Sequence, residues 1–427
     1  MNDWRREVVS PKRLRNEPNQ PAAALWRDHV IVSSNRFETF DLDIPSLTTL
    51  STLSTLRSVR NWMAQYVKIA GPGLYELPLG LQLTDPEVVL KERYATRLDY
   101  IRTLCALLRG AGYEADVVFA ANDADEPEVI RNRIKYEKPN VRAFASALCR
   151  VRVHKGGFLG WGGETKEYFI GTENQYAPIG PTVFDGCDYF DPADGTFGVV
   201  TVPDSSFADH EEERSEYVIR ENGSVDLTVE NLMCGTGVGA FRKTYSEILP
   251  EDRSRRYQAI LGAVAQAATA TRELETDVES YPAKRRFSCF IPDYAIVQGD
   301  AITIQIPPLV SSIPSLIGAV RQTPFAISAA NSEAETVTIR FPEGYTEIEN
   351  LPKPFVLANP LNPSEIWIES EVSSSIQDNI LTVVLSRKSN KHIYSFYNAS
   401  FYELIKDWSR LASSRASRTV VVRRTKR

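Results

Sequence analysis

Between Tyr94 and Ala120 the spacing of apolar positions changes period once. Leu98, Ile101, Leu104, Cys105 and Leu108 recur at helical spacing and predict a helix over Tyr94–Arg109 with one apolar face. Gly110-Ala-Gly112 ends it, because glycine takes the C-cap conformation at little cost. Tyr113, Ala115, Val117 and Phe119 then alternate with Val118, the pattern of a short strand. Upstream, leucine at every third position through 47–56 reads either as a low-complexity repeat or as a helix face leading into Val59–Val67; the helix is the expectation, and Gly71-Pro-Gly73 breaks it. His29–Ser33 reads as a short strand, and Leu77, Leu79 and Leu81 alternate through an extended segment. Asp85-Pro86-Glu87 is a helix start with an Asp cap, feeding the helix of Tyr94–Arg109.

Downstream, residues 121–140 are rich in Asp, Glu and Asn and predict a surface loop or a short polar helix. Phe144–Val153 alternates as a strand, and Gly156–Gly163 marks a glycine-rich hairpin turn. Residues 204–214 form an acidic linker, a natural domain boundary. Tyr217–Arg220 and Val225–Val229 read as a hairpin around Glu221-Asn222-Gly223. An Ala-rich helix follows from Pro250 to about Leu274. Further strands are expected at Phe287–Ile291, Tyr294–Val297, Ala301–Ile306, Thr336–Phe341, Ile366–Ser370, Ile380–Ser386 and Arg418–Val422, with a closing helix at Tyr397–Leu411. The fold class is α+β: a polar arm at 1–24, a core at 25–210, and a β-sandwich-like domain with a packed helix at 211–427.

Composition narrows the partners more than the fold. The net charge of −6 gives no reason to expect nucleic acid. Positive charge gathers from Lys406 onward, where eight basic residues face the single acid Asp407, as in a solvated basic tail or, alternatively, a contact with an anionic surface. The five cysteines are widely spaced without Cys-x-x-Cys, which indicates neither a zinc site nor a disulfide framework. No apolar run reaches the ~18 residues of a membrane span. The basic start has no apolar segment behind it and is not a secretory signal as written. The glycine-rich turn matches neither a P-loop nor a dinucleotide fingerprint, so no cofactor is expected.

Four stretches carry a family resemblance, one of them the run from Pro250-Glu251 through Arg253 to Gln258. Leu107-Leu108-Arg109-Gly110-Ala111-Gly112 closes the core helix, Gln175-Tyr176-Ala177-Pro178-Ile179-Gly180 follows an aromatic strand, and Arg340-Phe-Pro-Glu-Gly-Tyr345 precedes Leu351-Pro352. Together they resemble bacterial multidomain members of the transglutaminase-like (papain-like cysteine) superfamily, over roughly residues 60–425. The resemblance implies a transglutaminase-like core at 25–210 with a β-rich domain after it. In active members a Gly-Asp-Cys-x-Asp run opens the helix; counted back from its close, that run falls on Ala95–Asp99, with Arg97 in the nucleophile's place. The histidine position becomes Ser146, counted from Phe144, and the aspartate position becomes Thr172. Relatives are mostly exported with a further domain upstream, which implies a shortened chain, a cytoplasmic variant or a misassigned start. The resemblance names no compartment or oligomeric state for this chain.

Cysteine acyl transfer needs a thiolate, a histidine and a group to orient it. Arg97, Ser146 and Thr172 supply none of these, since a guanidinium stays protonated. The leading expectation is a catalytically inactive module that binds a peptide, protein or glycan chain in the inherited cleft through Arg97, Ser146 and Thr172. These three are expected to point into one cavity between helix and sheet. Arg97 would grip a ligand carboxylate, or else pair internally with Glu92 or an acid of the 121–140 loop. The alternative is an active thiol transglutaminase or peptidase using Cys105, His154 and Asp191, although Cys105 lies on the apolar face, where thiols are inert. A third reading is a structural scaffold. The acids Asp185, Asp188, Asp191 and Asp194 lack the calcium-loop pattern and are expected as solvated turns, so no metal is assigned.

Overall fold

The computed structural model describes residues 52–76, 83–123, 126, 128–137, 140–155, 164–306, 320–323, 325–327, 332–359, 362–390, 395–397, 399–413 and 418–425. The expected polar arm, the strand at His29, the alternating Leu77–Leu81 segment and the turn at Gly156–Gly163 lie outside them. The chain is mixed α+β and divides into two units, Met1–Phe207 and Ala208–Arg427.

In the first unit, helix α1 (Thr52–Tyr66) leads to strand β1 (Lys68–Ile69), helix α2 (Pro86–Glu92), strand β2 (Tyr94–Ala95) and helix α3 (Arg97–Gly110). The Asp85 carboxylate caps α2 through the Glu87 N–H, as its Asp-Pro start predicts. However, α2 does not feed α3. Arg93 turns left-handed at φ 56° and β2 intervenes, pairing in parallel with β1. α3 is buried from Leu98 to Leu108 on every side, Asp99 and Arg102 included, rather than along one face. It ends at Gly110, and the chain turns off it at Gly112, whose φ of +88° favours glycine. A five-stranded sheet follows in the order β5-β4-β3-β6-β7: β3 (Glu114–Ala120), β4 (Ser146–Lys155), β5 (Glu164–Ile170), β6 (Asp188–Asp191) and β7 (Thr196–Val199). A short helix α4 (Glu128–Asn132) and one π turn (Arg133–Glu137) occupy the expected polar segment. Leu56, Val59 and Met63 of α1 and Val89 of α2 share one core with α3 and with Ala115, Val117, Phe119, Cys149 and Val151 of the sheet. Val118, Ala120, Leu148, Phe169, Tyr189 and Val200 cluster on the sheet's other face.

The second unit opens with β8 (His210–Ile219), so the acidic half of the expected linker is strand. β9 (Val225–Cys234) completes the hairpin, then α5 (Gly237–Glu247) and α6 (Pro250–Val264) follow. α6 stops ten residues short of the expected end, because Ala265 is extended and strands β10 (Thr269–Ala270) and β11 (Glu275–Asp277) pair with β12 (Ala283–Ile291). The remaining elements are β13 (Ile296–Gln298), β14 (Ala301–Gln305), β15 (Phe325–Ile327), β16 (Ser332–Arg340), β17 (Tyr345–Asn350), β18 (Phe355–Asn359), β19 (Asn362–Gln377), β20 (Ile380–Ser389), β21 (Ser395–Tyr397), α7 (Tyr402–Ser413) and β22 (Thr419–Arg424). One sheet runs β10-β12-β9-β8-β16-β20-β19-β18 with β11 also on β12, and a second runs β13-β14-β22-β17. Tyr217, Leu227, Phe287, Val337 and Leu385 of the first pack into one core with Ile302, Ile304, Val420 and Val422 of the second. The expected solvated basic tail is corrected here. Its end is the strand β22, in which Val420 and Val422 are buried, Arg423 pairs with Glu349 and Asp300, and Arg424 pairs with Glu221.

Candidate functional site

The start of α3 is fixed before its first turn begins. The Thr96 hydroxyl caps the helix by accepting from the Asp99 N–H at 3.1 Å. Asp99, 1% exposed, accepts from the Thr84 N–H at 2.9 Å, and Arg102 bridges Asp99 and the Thr84 carbonyl at 3.3 and 3.2 Å. Arg97 is the first helical residue and is exposed. Among the described residues it makes no ion pair or side-chain hydrogen bond, so the expected internal bridge to Glu92 or the 121–140 acids is not formed there.

Ser146 and Thr172 lie at the same end of the sheet. β3 finishes at Ala120 opposite Ser146, where β4 begins, and Thr172 comes two residues after the end of β5. α3 precedes β3 through the Gly112 turn and packs back along it, so its first turn stands at that end as well. The faces differ, however. Ala147, Cys149 and Val151 pack toward α3, while Leu148 packs on the other side. Strand alternation therefore sets Ser146 with Leu148, away from the helix, and gives the helix-facing place to Ala147. The expectation of one cavity holding all three side chains is corrected at Ser146; a shift of one residue reverses the face. Thr172 is half-buried beside Glu173.

The same alternation separates the alternative triad. Cys105 is 1% exposed beneath the sheet, against Cys149 at 0%. Burial and the Cys105 thiol beside it hold the Cys149 thiol well above its usual range. His154 stands on the opposite face with Arg150 and Arg152, 63% exposed, its Nε2 3.1 Å from Glu114 and its Nδ1 2.8 Å from Thr165. Asp191 is held by the buried Arg150 at 2.5 Å. Cys105 is thus divided from His154 and Asp191 by the thickness of the sheet. The expected solvated aspartates also need correction. Asp188 and Asp191 are both 1% exposed, and Asp188 pairs with Arg131 at 3.0 Å and Lys135 at 2.7 Å. Among the described residues no group of His, Cys, Asp and Glu is placed to hold a metal ion.

A buried polar group beside the α3 start escapes a sequence reading. Arg60 of α1 is 1% exposed and donates to the Ala177 carbonyl at 2.5 Å and to the Asn61 side chain at 3.0 Å. Tyr100, three residues into α3 from Arg97, is 1% exposed, and its hydroxyl has no hydrogen-bond partner among the described residues. Burial disfavours its phenolate and pushes its ionisation to higher pH, with Arg60 opposing and Glu173 adding. Glu173 accepts from the Gly171 N–H at 2.8 Å, and burial raises its carboxyl above the usual range. The available signal was Arg60 itself, a charge between Leu56, Val59 and Met63 on a helix whose apolar side is otherwise unbroken.

No family model and no curated protein matches the chain. Among solved structures, a crystal structure from Parabacteroides distasonis named "putative protease" is similar at 11% sequence identity and a TM-score of 0.42. The similarity covers 96% of this chain and 57% of that one, so this chain spans less than two thirds of that protein's length.

Proposed function

We propose that this chain is a transglutaminase-like module without acyl-transfer chemistry, which holds an acidic group of a peptide, protein or glycan chain at the start of α3. The observation that carries this reading is Arg97: exposed, first in the helix, and without a partner among the described residues. A cation at a helix N-terminus meets the positive end of the helix dipole and is favoured there only beside an anion. Its guanidinium and the first-turn N–H groups together suit a carboxylate. The loss of catalysis is supported by the buried Cys105 and by the sheet between it and His154.

The test compares native protein with Arg97→Ala against acidic peptides and acidic oligosaccharides, alongside melting. Capture weakened about tenfold, the scale of one charge-assisted contact, with unchanged melting is the expected result. Lower melting with unchanged capture would make Arg97 a purely structural residue. Amide substrates and thiol-reactive probes should give no turnover; turnover abolished by Cys105→Ala would establish the thiol enzyme instead.

A further inference from the structure

Exposed rings and cations border the start of α3, and the acidic-group reading leaves them unused. Tyr66, the last residue of α1, is 44% exposed and packs on Trp62 with ring centroids 5.4 Å apart. The Arg93 guanidinium stands 5.5 Å from the Tyr66 ring centre. Tyr94 is 51% exposed, and its register partner on β1 is Lys68. A Cβ at Gly71, where φ is +104°, would lie 3.4 Å from the Tyr94 hydroxyl and 3.5 Å from Thr96 Cγ2. The Tyr94 hydroxyl therefore sits beside the cap of α3, with Arg97 next along the chain. Large exposed rings that adjoin cations form a surface suited to being covered.

The backbone of β1 decides what covers it. The Lys68 N–H donates to the Arg93 carbonyl and the Ala70 N–H to the Ala95 carbonyl, both at 2.9 Å. In a strand, alternate residues direct their backbone groups to opposite sides, so the N–H and C=O of Ile69 point away from β2. No other strand lies beside β1 among the described residues. An extended peptide satisfies such an edge with main-chain hydrogen bonds; a sugar ring has no matching ladder. Charge selects further. In the run 91–97 the cations Lys91, Arg93 and Arg97 are exposed against one exposed acid, Glu92, and Lys68 is exposed on the paired strand.

We propose that an acidic peptide segment adds to the β1 edge in extended form, its carboxylates meeting Arg93 and Arg97 and its apolar side chains covering Tyr66 and Tyr94. This rests on the acidic-group reading of Arg97 and adds to it the class of partner and the mode of binding. The test uses the full chain, a fluorescein-labelled poly(Glu,Tyr) copolymer and, as the glycan, labelled polygalacturonate oligomers. Ile69→Pro removes the outward N–H while keeping the Lys68 and Ala70 bonds to β2, and proline is tolerated at an edge. Tyr94→Ala removes an exposed ring and serves if Ile69→Pro lowers melting. Each is expected to weaken copolymer binding about tenfold with melting unchanged for Tyr94→Ala, the loss expected of an interface anchor. If Arg97→Ala weakens binding while Ile69→Pro and Tyr94→Ala bind as the native chain does, the edge proposal falls and the acidic-group reading stands. Polygalacturonate binding without copolymer binding likewise overturns the peptide proposal alone. If neither probe binds the native chain, both readings fall together.

Discussion

Glu173 holds its proton more tightly than a carboxyl in the unfolded chain does, because burial outweighs the pull of Arg60 and of the Gly171 N–H. The sign of the pH dependence follows. This residue's contribution is most favourable below the unfolded carboxylate range and is lost as pH rises through its raised folded value. Glu173→Gln removes that loss. Its melting temperature relative to native is expected to rise as pH climbs above the ordinary glutamate range; a flat difference would place the carboxylate in water. Single residues were the least legible level of this sequence. Cys105, His154 and Asp191 stand in a plausible order along the chain, yet the side of a strand depends on register, which order does not encode. Ser146 failed for the same reason, by one position. Asp191 read as a solvated turn because its partner Arg150 lies 41 residues away.

At the scale of elements, the outer face of the first sheet is tied by charges that cross its strands. Arg150 of β4 reaches Asp191 of β6 at 2.5 Å, the Tyr189 hydroxyl at 3.2 Å and Asp116 of β3 at 3.6 Å, while Arg152 reaches Glu167 of β5 at 3.2 Å. Asp191→Asn leaves the Arg150 guanidinium, 4% exposed, with the Tyr189 hydroxyl and the more distant acids Asp116 and Glu167. The expected cost is about 3 kcal/mol in urea unfolding, as for breaking a buried pair; a cost under about 1 kcal/mol would mean that water screens the pair as it does at a surface. Elements with a strict period were readable, among them β3, β4, the β8–β9 hairpin and β20. Boundaries set by partners were not. The break between α2 and α3 turns on a left-handed Arg93, where no glycine or proline marks it. α6 gives way to extended chain inside an alanine-rich run because β10 and β11 are drawn onto β12.

At the scale of the whole molecule, the clusters formed by the described residues each draw on one unit. The clusters around α3 and its sheet draw on residues up to Val200, and the other large core begins at Tyr217. Units with separate cores unfold separately unless something couples them. Calorimetry is expected to resolve two transitions. Leu104→Ala in α3 should lower one of them, by about 2–5 kcal/mol for a buried leucine, and leave the other in place. A single transition that shifts as a whole would show the cores to be coupled.

The parallel seam in the larger sheet bears on how the second unit is made. Every other pairing in that sheet is antiparallel, but β8 runs alongside β16, and His210 meets Ser332 across 122 residues of chain. During synthesis the β8–β9–β12 ribbon emerges first, and the β8 side facing β16 stays open until the ribosome has released residues beyond Arg340. At ordinary elongation rates of about 5–20 residues per second, that interval lasts several seconds. Throughout it the nascent chain presents a ten-residue strand with an unpaired edge, in which Glu211, Glu212, Glu213 and Glu216 provide the charge that discourages other chains from pairing with it first.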